Sequence, residues 1–256
     1  MSRFASLILL AVLWAGIAVA QPADPESIEV GLSTDRIAIT ADFSGADLTI
    51  FGALDNADPL LARQGRYDVI VVLQGPAAAT VVRRKERVFG VWINRRSQTF
   101  QNVPISYSLA TTRAMQDITD SESFSRLSLG INNIHLKSES GTFGASEFSE
   151  ALRERKRVSG LYSERIGGVQ FLSQSLFRAT LSLPPNVPVG THRARAFLFK
   201  NGVFLKETSA PLLILKSGLE DAIYQAAHSY SFFYGVGAVL IAMLIGWLGR
   251  IIFRRD

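Results

Sequence analysis

Tyr67-Asp68-Val69-Ile70-Val71-Val72-Leu73-Gln74-Gly75-Pro76 is the stretch that decides the fold. Its apolar, β-branched run is nearly continuous and stops at Gly75-Pro76, which reads as a central strand. Around it the pattern has period two. Arg36 to Phe43 alternates, and Asp47 to Phe51 follows the turn signal Ser44-Gly45. Thr80–Arg84, Val88–Ile93 and Ile105–Ala110 also read as strands, with turn signals about every ten residues, as a β-sandwich requires.

The pattern then changes. Ser121 to Gly144 is rich in Ser, Asn and Gly and reads as loop with room for one short helix. Over residues 146–160 the spacing is helical. Phe148, Ala151, Leu152, Arg155 and Ser159 share a face, Glu150/Arg153 and Glu154/Arg157 are opposite charges at i,i+3, and Gly160 is a stop. Strands resume at Val169–Leu172, Phe177–Leu183, Arg193–Lys200, Val203–Thr208 and Leu212–Leu215. Asn201-Gly202 is a hairpin signal between two of them. The stiff loop Pro184–Gly190 ahead of Thr191–Phe199 looks like the back half of an immunoglobulin-like sandwich. The fold class expected is therefore mainly β: one or two immunoglobulin-like β-sandwiches with a helical insertion, over residues 21–216.

The two ends differ from this domain. Arg3, the apolar run Leu7–Trp14 and Ala18-Val19-Ala20 before Gln21-Pro22 read as a secretory signal peptide, expected over residues 1–20. Residues 217–230 open with Ser217 and Glu220 in capping-box spacing and continue as a juxtamembrane helix. Residues 231–253 are almost all apolar or small, and Phe232 to Phe253 at ~1.5 Å each reaches roughly 33 Å, a bilayer's hydrocarbon thickness. Arg254 and Arg255 follow, which places the tail 254–256 in the cytoplasm and the domain in the periplasm of an inner membrane. Tyr230 and Tyr234 mark one interface, Trp247 and Arg250 the other.

The 256 residues are 48% hydrophobic and 19% charged, which excludes a disordered chain. The absence of cysteine excludes disulfides, thiolate metal sites and thiol nucleophiles. The net charge is +5, but Arg3, Arg250, Arg254 and Arg255 belong to the ends, so part of the excess orients the span. Nucleic acid is a poor partner for an exported domain.

Chemical motifs are few. His135, His192 and His228 fall on a loop, a strand and the juxtamembrane helix, and each reads as an ordinary surface or interface residue. No metal-site spacing, nucleophile elbow, phosphate loop or dinucleotide fingerprint occurs. The sequence therefore implies no catalytic residue, no metal and no cofactor. The sharpest feature is Val82-Arg83-Arg84-Lys85-Glu86-Arg87-Val88, leading into Phe89-Gly90-Val91-Trp92-Ile93-Asn94-Arg95-Arg96. In an extended chain Arg83, Lys85 and Arg87 share a face, next to Trp92. That face suits an anion, a lipid headgroup or an acidic loop of a partner. The plainer alternative is an edge strand guarded by charge. In the span, Ala238, Ala242 and Gly246 are four apart and form a stripe on which a second helix can pack. No Asp, Glu, Lys, Arg or His lies between Phe232 and Gly249, which argues against ion conduction.

The chain resembles a family of uncharacterised alphaproteobacterial transmembrane proteins with one exported domain and one C-terminal span. The likeness rests on Tyr67–Val72 with Gly75-Pro76, Val82–Arg87, Gly90–Asn94, Gly160-Leu161-Tyr162, Leu176–Ala179, Pro184–Gly190 and Gly246-Trp247-Leu248. It implies an accessory subunit of a polytopic permease similar to sulfite or sulfonate exporters, and it transfers no functional residues. The leading expectation is a membrane-anchored periplasmic interaction protein without catalysis, in contact with membrane lipid. A small-anion-binding module is the second reading and an enzyme the third. The sequence leaves the oligomeric state open.

Overall fold

The computed structural model describes residues 25–40, 42–139, 145–217, 224 and 227–252. The expected signal peptide, most of the juxtamembrane segment with its capping box, and the tail 254–256 lie outside the described residues.

In chain order the strands are β1 (Ser27–Leu32), β2 (Arg36–Ile39), β3 (Ala46–Asp55), β4 (Tyr67–Gln74), β5 (Ala77–Val88), β6 (Val91–Pro104) and β7 (Tyr107–Thr111). They continue as β8 (Lys137–Ser138), β9 (Tyr162–Ile166), β10 (Val169–Phe171), β11 (Leu176–Leu183), β12 (Gly190–Lys200) and β13 (Val203–Lys216). The helices are α1 (Pro59–Arg63), α2 (Met115–Ile118), α3 (Ser121–Leu127), α4 (Ala145–Val158) and α5 (Ser231–Ile252), with a 3₁₀ turn at Ile131–Asn133. One antiparallel sheet has the order β1-β3-β11-β10. A larger sheet has the order β2-β13-β12-β4-β7-β9, with β2 and β9 parallel to their neighbours. A third ribbon is β5-β6-β8. The fold is mainly β: a single sandwich, with helices added and one apolar C-terminal helix.

β4 lies between β12 and β7, and every residue from Tyr67 to Leu73 is buried. Alternation along a strand sends odd and even side chains to opposite faces. Tyr67, Val69, Val71 and Leu73 face the smaller sheet and pack with Ile50, Phe177, Leu181 and Leu198. Ile70 and Val72 face the other way, into a second core with Tyr107, Phe124, Leu129, Ile131 and Phe197. That second core is roofed by α2, α3 and the 3₁₀ turn. Residues 121–139, expected to be loop with one short helix, thus form a structured third layer. Polar ties fix it to the sheet: the Ile131 amide donates to Glu164 (2.6 Å) and the Gly130 amide to the Tyr107 hydroxyl (3.0 Å). The roof's apolar residues come from short, separate turns and so show no regular hydrophobic period, which is why the sequence hides it.

Asp68 is the one acid inside β4. Its carboxylate accepts from Thr112 Oγ1 (2.8 Å) and from Arg113 at Nε (2.8 Å) and Nη2 (2.6 Å). Arg113 remains half exposed, so the pair avoids most of the desolvation cost of fully buried ions.

Three expectations are corrected. Val203–Thr208 and Leu212–Leu215 are one strand, β13. Pro211 fits inside it because β2 pairs only from Leu213 onward, so that edge asks no hydrogen bond of Pro211. On α4 the buried side is Phe148 and Leu152 with half-buried Arg153 and Lys156, whereas Ala151, Arg155 and Ser159 face solvent. Lys156 lies inward because its stem packs while Nζ donates to the Ile105 carbonyl (2.9 Å). Of the two expected helix pairs, Arg157–Glu154 forms (3.1 Å), while Arg153 turns to Ser149 and the Ile134 carbonyl. Gly75-Pro76 ends β4 as expected, while hydrogen bonding continues across the break. Gln74 pairs with Tyr107 and Ala77 with Pro104, and the Gly75 amide donates to the Ser106 carbonyl (2.9 Å) and the Ile105 amide to that of Pro76 (2.9 Å). The ribbon β5/β6 therefore prolongs the central pair β4/β7 through a bend.

His192 locks that bend. It is fully buried rather than at a surface. Its Nδ1–H donates to the Gly190 carbonyl (3.2 Å), because a carbonyl can only accept, so Nε2 accepts from the Ser106 hydroxyl (3.2 Å). A Cβ on Gly75 would stand 2.2 Å from Ser106 Oγ, so only glycine lets the chain pass. Burial disfavours the imidazolium and holds this histidine below its ordinary value of 6.5, although the Gly190 bond offsets part of the effect. Below about pH 6.5 the unfolded chain then binds a proton that the folded one refuses, so folding stability is whole above that pH and falls as pH drops through it. Chemical denaturation between about pH 7.5 and 5 should show this loss, and His192→Gln should flatten that part of the slope.

Candidate functional site: a basic hairpin arm

Beyond Val82 the ribbon leaves the body of the domain. Residues 91–97 of β6 are all exposed, and on β5 only Glu86 and Val88 are even half-buried beyond residue 82. At roughly 3.3 Å per residue, β5 is about 40 Å long, and nearly half of it is free-standing arm. Val88–Ile93, expected as one strand, instead contains the turn: Phe89 (φ 48°) and Gly90 (φ 85°) occupy left-handed positions between Val88 and Val91. Asn-Gly is the usual signal for such a turn, and a phenylalanine in its first position conceals it.

The cross-strand register sorts the charges. Opposed residues share a face. Arg84 opposes Arg96, Glu86 opposes Ile93, and Val88 opposes Val91. On this face Glu86 binds Arg95 (3.3 Å), Arg96 (3.3 Å) and, more loosely, Arg84 (3.8 Å), while Arg84 also pairs with Glu147 of α4. Burial would raise the Glu86 carboxyl, but the Arg96 hydrogen bond and the charges of Arg95 and Arg96 outweigh it and hold it below the usual range. A bulge between Arg84 and Lys85 leaves Arg95 between rungs, free to reach Glu86.

The opposite face carries Arg83, Lys85 and Arg87. Arg87 is directly across from Trp92, and Lys85 from Asn94. The structure therefore assembles the expected set Arg83, Lys85, Arg87 and Trp92 on one exposed surface. Among the described residues these three cations have no acidic partner, and Arg87 bonds only to the Gly90 carbonyl (3.3 Å). Sequence reading missed Glu86 and Glu147 as the acidic partners of Arg84, Arg95 and Arg96. Only the register reveals which face stays uncompensated.

The other expected residues lie apart. Ala238, Ala242 and Gly246 sit exposed along α5, whose segment Ser231–Gly249 has mean hydropathy 2.0 and is not buried within the structure. The histidines do not converge: His135 bonds Ser128, His192 locks the bend, and His228 stacks on Tyr224. The Ser106–His192 pair, though of nucleophile–base type, is shut in the core. Among the described residues no cluster of three or more His, Asp or Glu could hold a metal ion.

A family described as "Putative transmembrane protein (Alph_Pro_TM)" matches residues 27–255. The chain belongs to that family. It is a transmembrane protein with a β domain and one C-terminal apolar helix. No curated protein matches it. Similar solved structures include the N-terminal domain of the Streptococcus gordonii adhesin Sgo0707, at 10% identity over 76% of this chain and TM-score 0.26. Others are BcpA, the major pilin subunit of Bacillus cereus, at 10% identity over 75% of this chain and TM-score 0.26, and AggA, the major subunit of aggregative adherence fimbriae type I from Escherichia coli, at 8% identity over 77% of this chain and TM-score 0.26. The chain spans 34%, 40% and 99% of those three chains, respectively.

If Glu86 ties the three arginines together, Glu86→Gln should loosen the arm alone. Amide exchange between Arg84 and Arg96 should quicken roughly two- to fivefold, as befits exposed ion pairs, with thermal unfolding of the sandwich unchanged.

Proposed function

We propose that this protein is a non-catalytic interaction protein, anchored in the inner membrane by α5 with its sandwich in the periplasm. The observation that carries this reading is the arm: an uncompensated cationic face beside an exposed tryptophan, held out from the domain by the central strand pair. A surface of that kind has no use in the core and is built for contact. Arg254 and Arg255 after the span support the orientation by the positive-inside rule. The partner expected is a polytopic permease similar to sulfite or sulfonate exporters, as the family resemblance implies. The Ala238, Ala242 and Gly246 stripe would pack on one of its helices.

A second reading is small-anion binding. Arg83, Lys85 and Arg87 opposite Trp92 support it, since the indole would report an anion seated there.

Photo-crosslinkers at Trp92 and Ala242 in living cells test the two together. The interaction reading expects a polytopic membrane protein captured from at least one position, with capture at Trp92 lost in Arg83→Glu/Lys85→Glu/Arg87→Glu. A chain that purifies alone in mild detergent without crosslinks overturns it. Quenching of Trp92 by millimolar sulfite or phosphate, abolished by Arg87→Ala, would instead establish the anion module.

A further inference from the structure

We propose that the tip of the arm inserts into an anionic lipid surface, with Phe89 and Val91 as the wedge, Trp92 beside Arg87 at headgroup level, and Lys85 and Arg83 behind them. This rests on the reading above only in placing the domain beside a membrane.

The argument begins with the order of residues along the arm. From Val88 to Ile93 every residue is apolar or glycine. Immediately behind come Arg83, Arg84, Lys85 and Arg87 on one strand and Arg95 and Arg96 on the other, against the single acid Glu86. Apolar apex followed by cations is the order of a bilayer's edge, with hydrocarbon first and phosphates next. The spacing agrees. Arg87 is two residues from Phe89, roughly 7 Å, and interfacial apolar groups sink about 5–10 Å. A tip inserted to that depth leaves Arg87 and Lys85 level with the phosphates.

The outermost rung and the turn beyond it are apolar, and charge begins one rung in, where Arg87 stands across from Trp92. Val88, Val91 and Ile93 point to one face, Trp92 to the other, and Phe89 caps the apex, fully exposed. Phe89 adds a second sign. The turn holds it at φ 48°, where a bulky side chain is disfavoured and Asn would be preferred. The chain tolerates that local strain and gains an aromatic ring at the most protruding point. Trp92 at 65% exposure and Val91 at 63% leave large apolar surfaces in water unless something covers them.

The absence of cysteine makes the test direct. Full-length protein with Val91→Cys, carrying an environment-sensitive fluorophore, is reconstituted into phosphatidylcholine vesicles with or without about one third phosphatidylglycerol. Arg178→Cys, on the exposed face of β11, serves as the control position. The proposal expects quenching of the tip label by nitroxide-bearing lipid in the anionic vesicles, little quenching at Arg178, and loss of the effect with Phe89→Asn, a change that favours the turn. Each cation removed from Arg83, Lys85 and Arg87 should weaken insertion about fivefold. A tip label that stays accessible to water in both bilayers overturns the proposal. So does a label shielded only when a second protein is present, which would assign the arm to a protein contact and leave the interaction reading standing. A chain stripped from membranes by alkaline carbonate would overturn the span itself, and with it both readings.

Discussion

The burial of β4 on both faces is the constraint on which the rest depends. A strand in the middle of an ordinary sandwich needs one apolar face, but this one needs two, so the chain must supply a cover for each. The smaller sheet covers one side. The other is closed by α2, α3 and the 3₁₀ turn, which bring Ile118, Phe124, Leu129 and Ile131 onto Ile70, Val72 and Phe197. With no cysteine in the chain, that double burial does the work a staple would otherwise do. At roughly 1.5–3 kcal/mol for each fully buried large apolar side chain, β4 is heavily anchored on both faces.

That anchoring explains how an arm can exist. An isolated two-stranded ribbon is at best marginally stable in water. Here the ribbon is the overhang of β4 and β7, and the ladder runs through the Gly75/Ser106 bend without losing its pairing. α4 supports the root: Phe148 and Leu152 pack on Phe100 and Val103, and Glu147 takes Arg84. Farther out no core remains, and cross-strand side chains must hold the ribbon. Glu86 among three arginines does that on one face. Compensation on that face is what permits the other to remain unpaired, since like charges crowding both faces would push the strands apart.

How much of this the sequence shows depends on which physical signal each part leaves. β4, β11 and β12 leave strong ones, because burial imposes period two or a continuous apolar run. The set Arg83, Lys85, Arg87 and Trp92 was legible because alternation alone fixes a shared face. The turn at Phe89-Gly90 was not, since its first residue contradicts the usual chemistry. The roof was hidden for another reason. Its short helices are capped locally, as by Asp120 on the Ser123 amide (2.7 Å), and its buried residues Ile118, Phe124, Leu129 and Ile131 are too irregularly spaced to show a period. β13 was divided on paper by Pro211, a residue that is harmless only where the neighbouring strand has not yet begun.

The bend gives the final step. His192, Ser106 and Gly75 meet where the core ends and the arm begins, and Gly190, whose carbonyl holds His192, packs beside Pro76. A neutral imidazole there uses one nitrogen as donor and the other as acceptor, and both are satisfied. Protonation would turn Nε2 into a second donor facing the Ser106 hydroxyl, which would have to surrender its own donation and find another acceptor in a closed site. The cost of that rearrangement is the loss of folding stability expected as the pH falls below the ordinary histidine value. The residue that closes the joint between core and arm is therefore the one whose neutral form the bend requires, with Nδ1 donating to Gly190 and Nε2 accepting from Ser106.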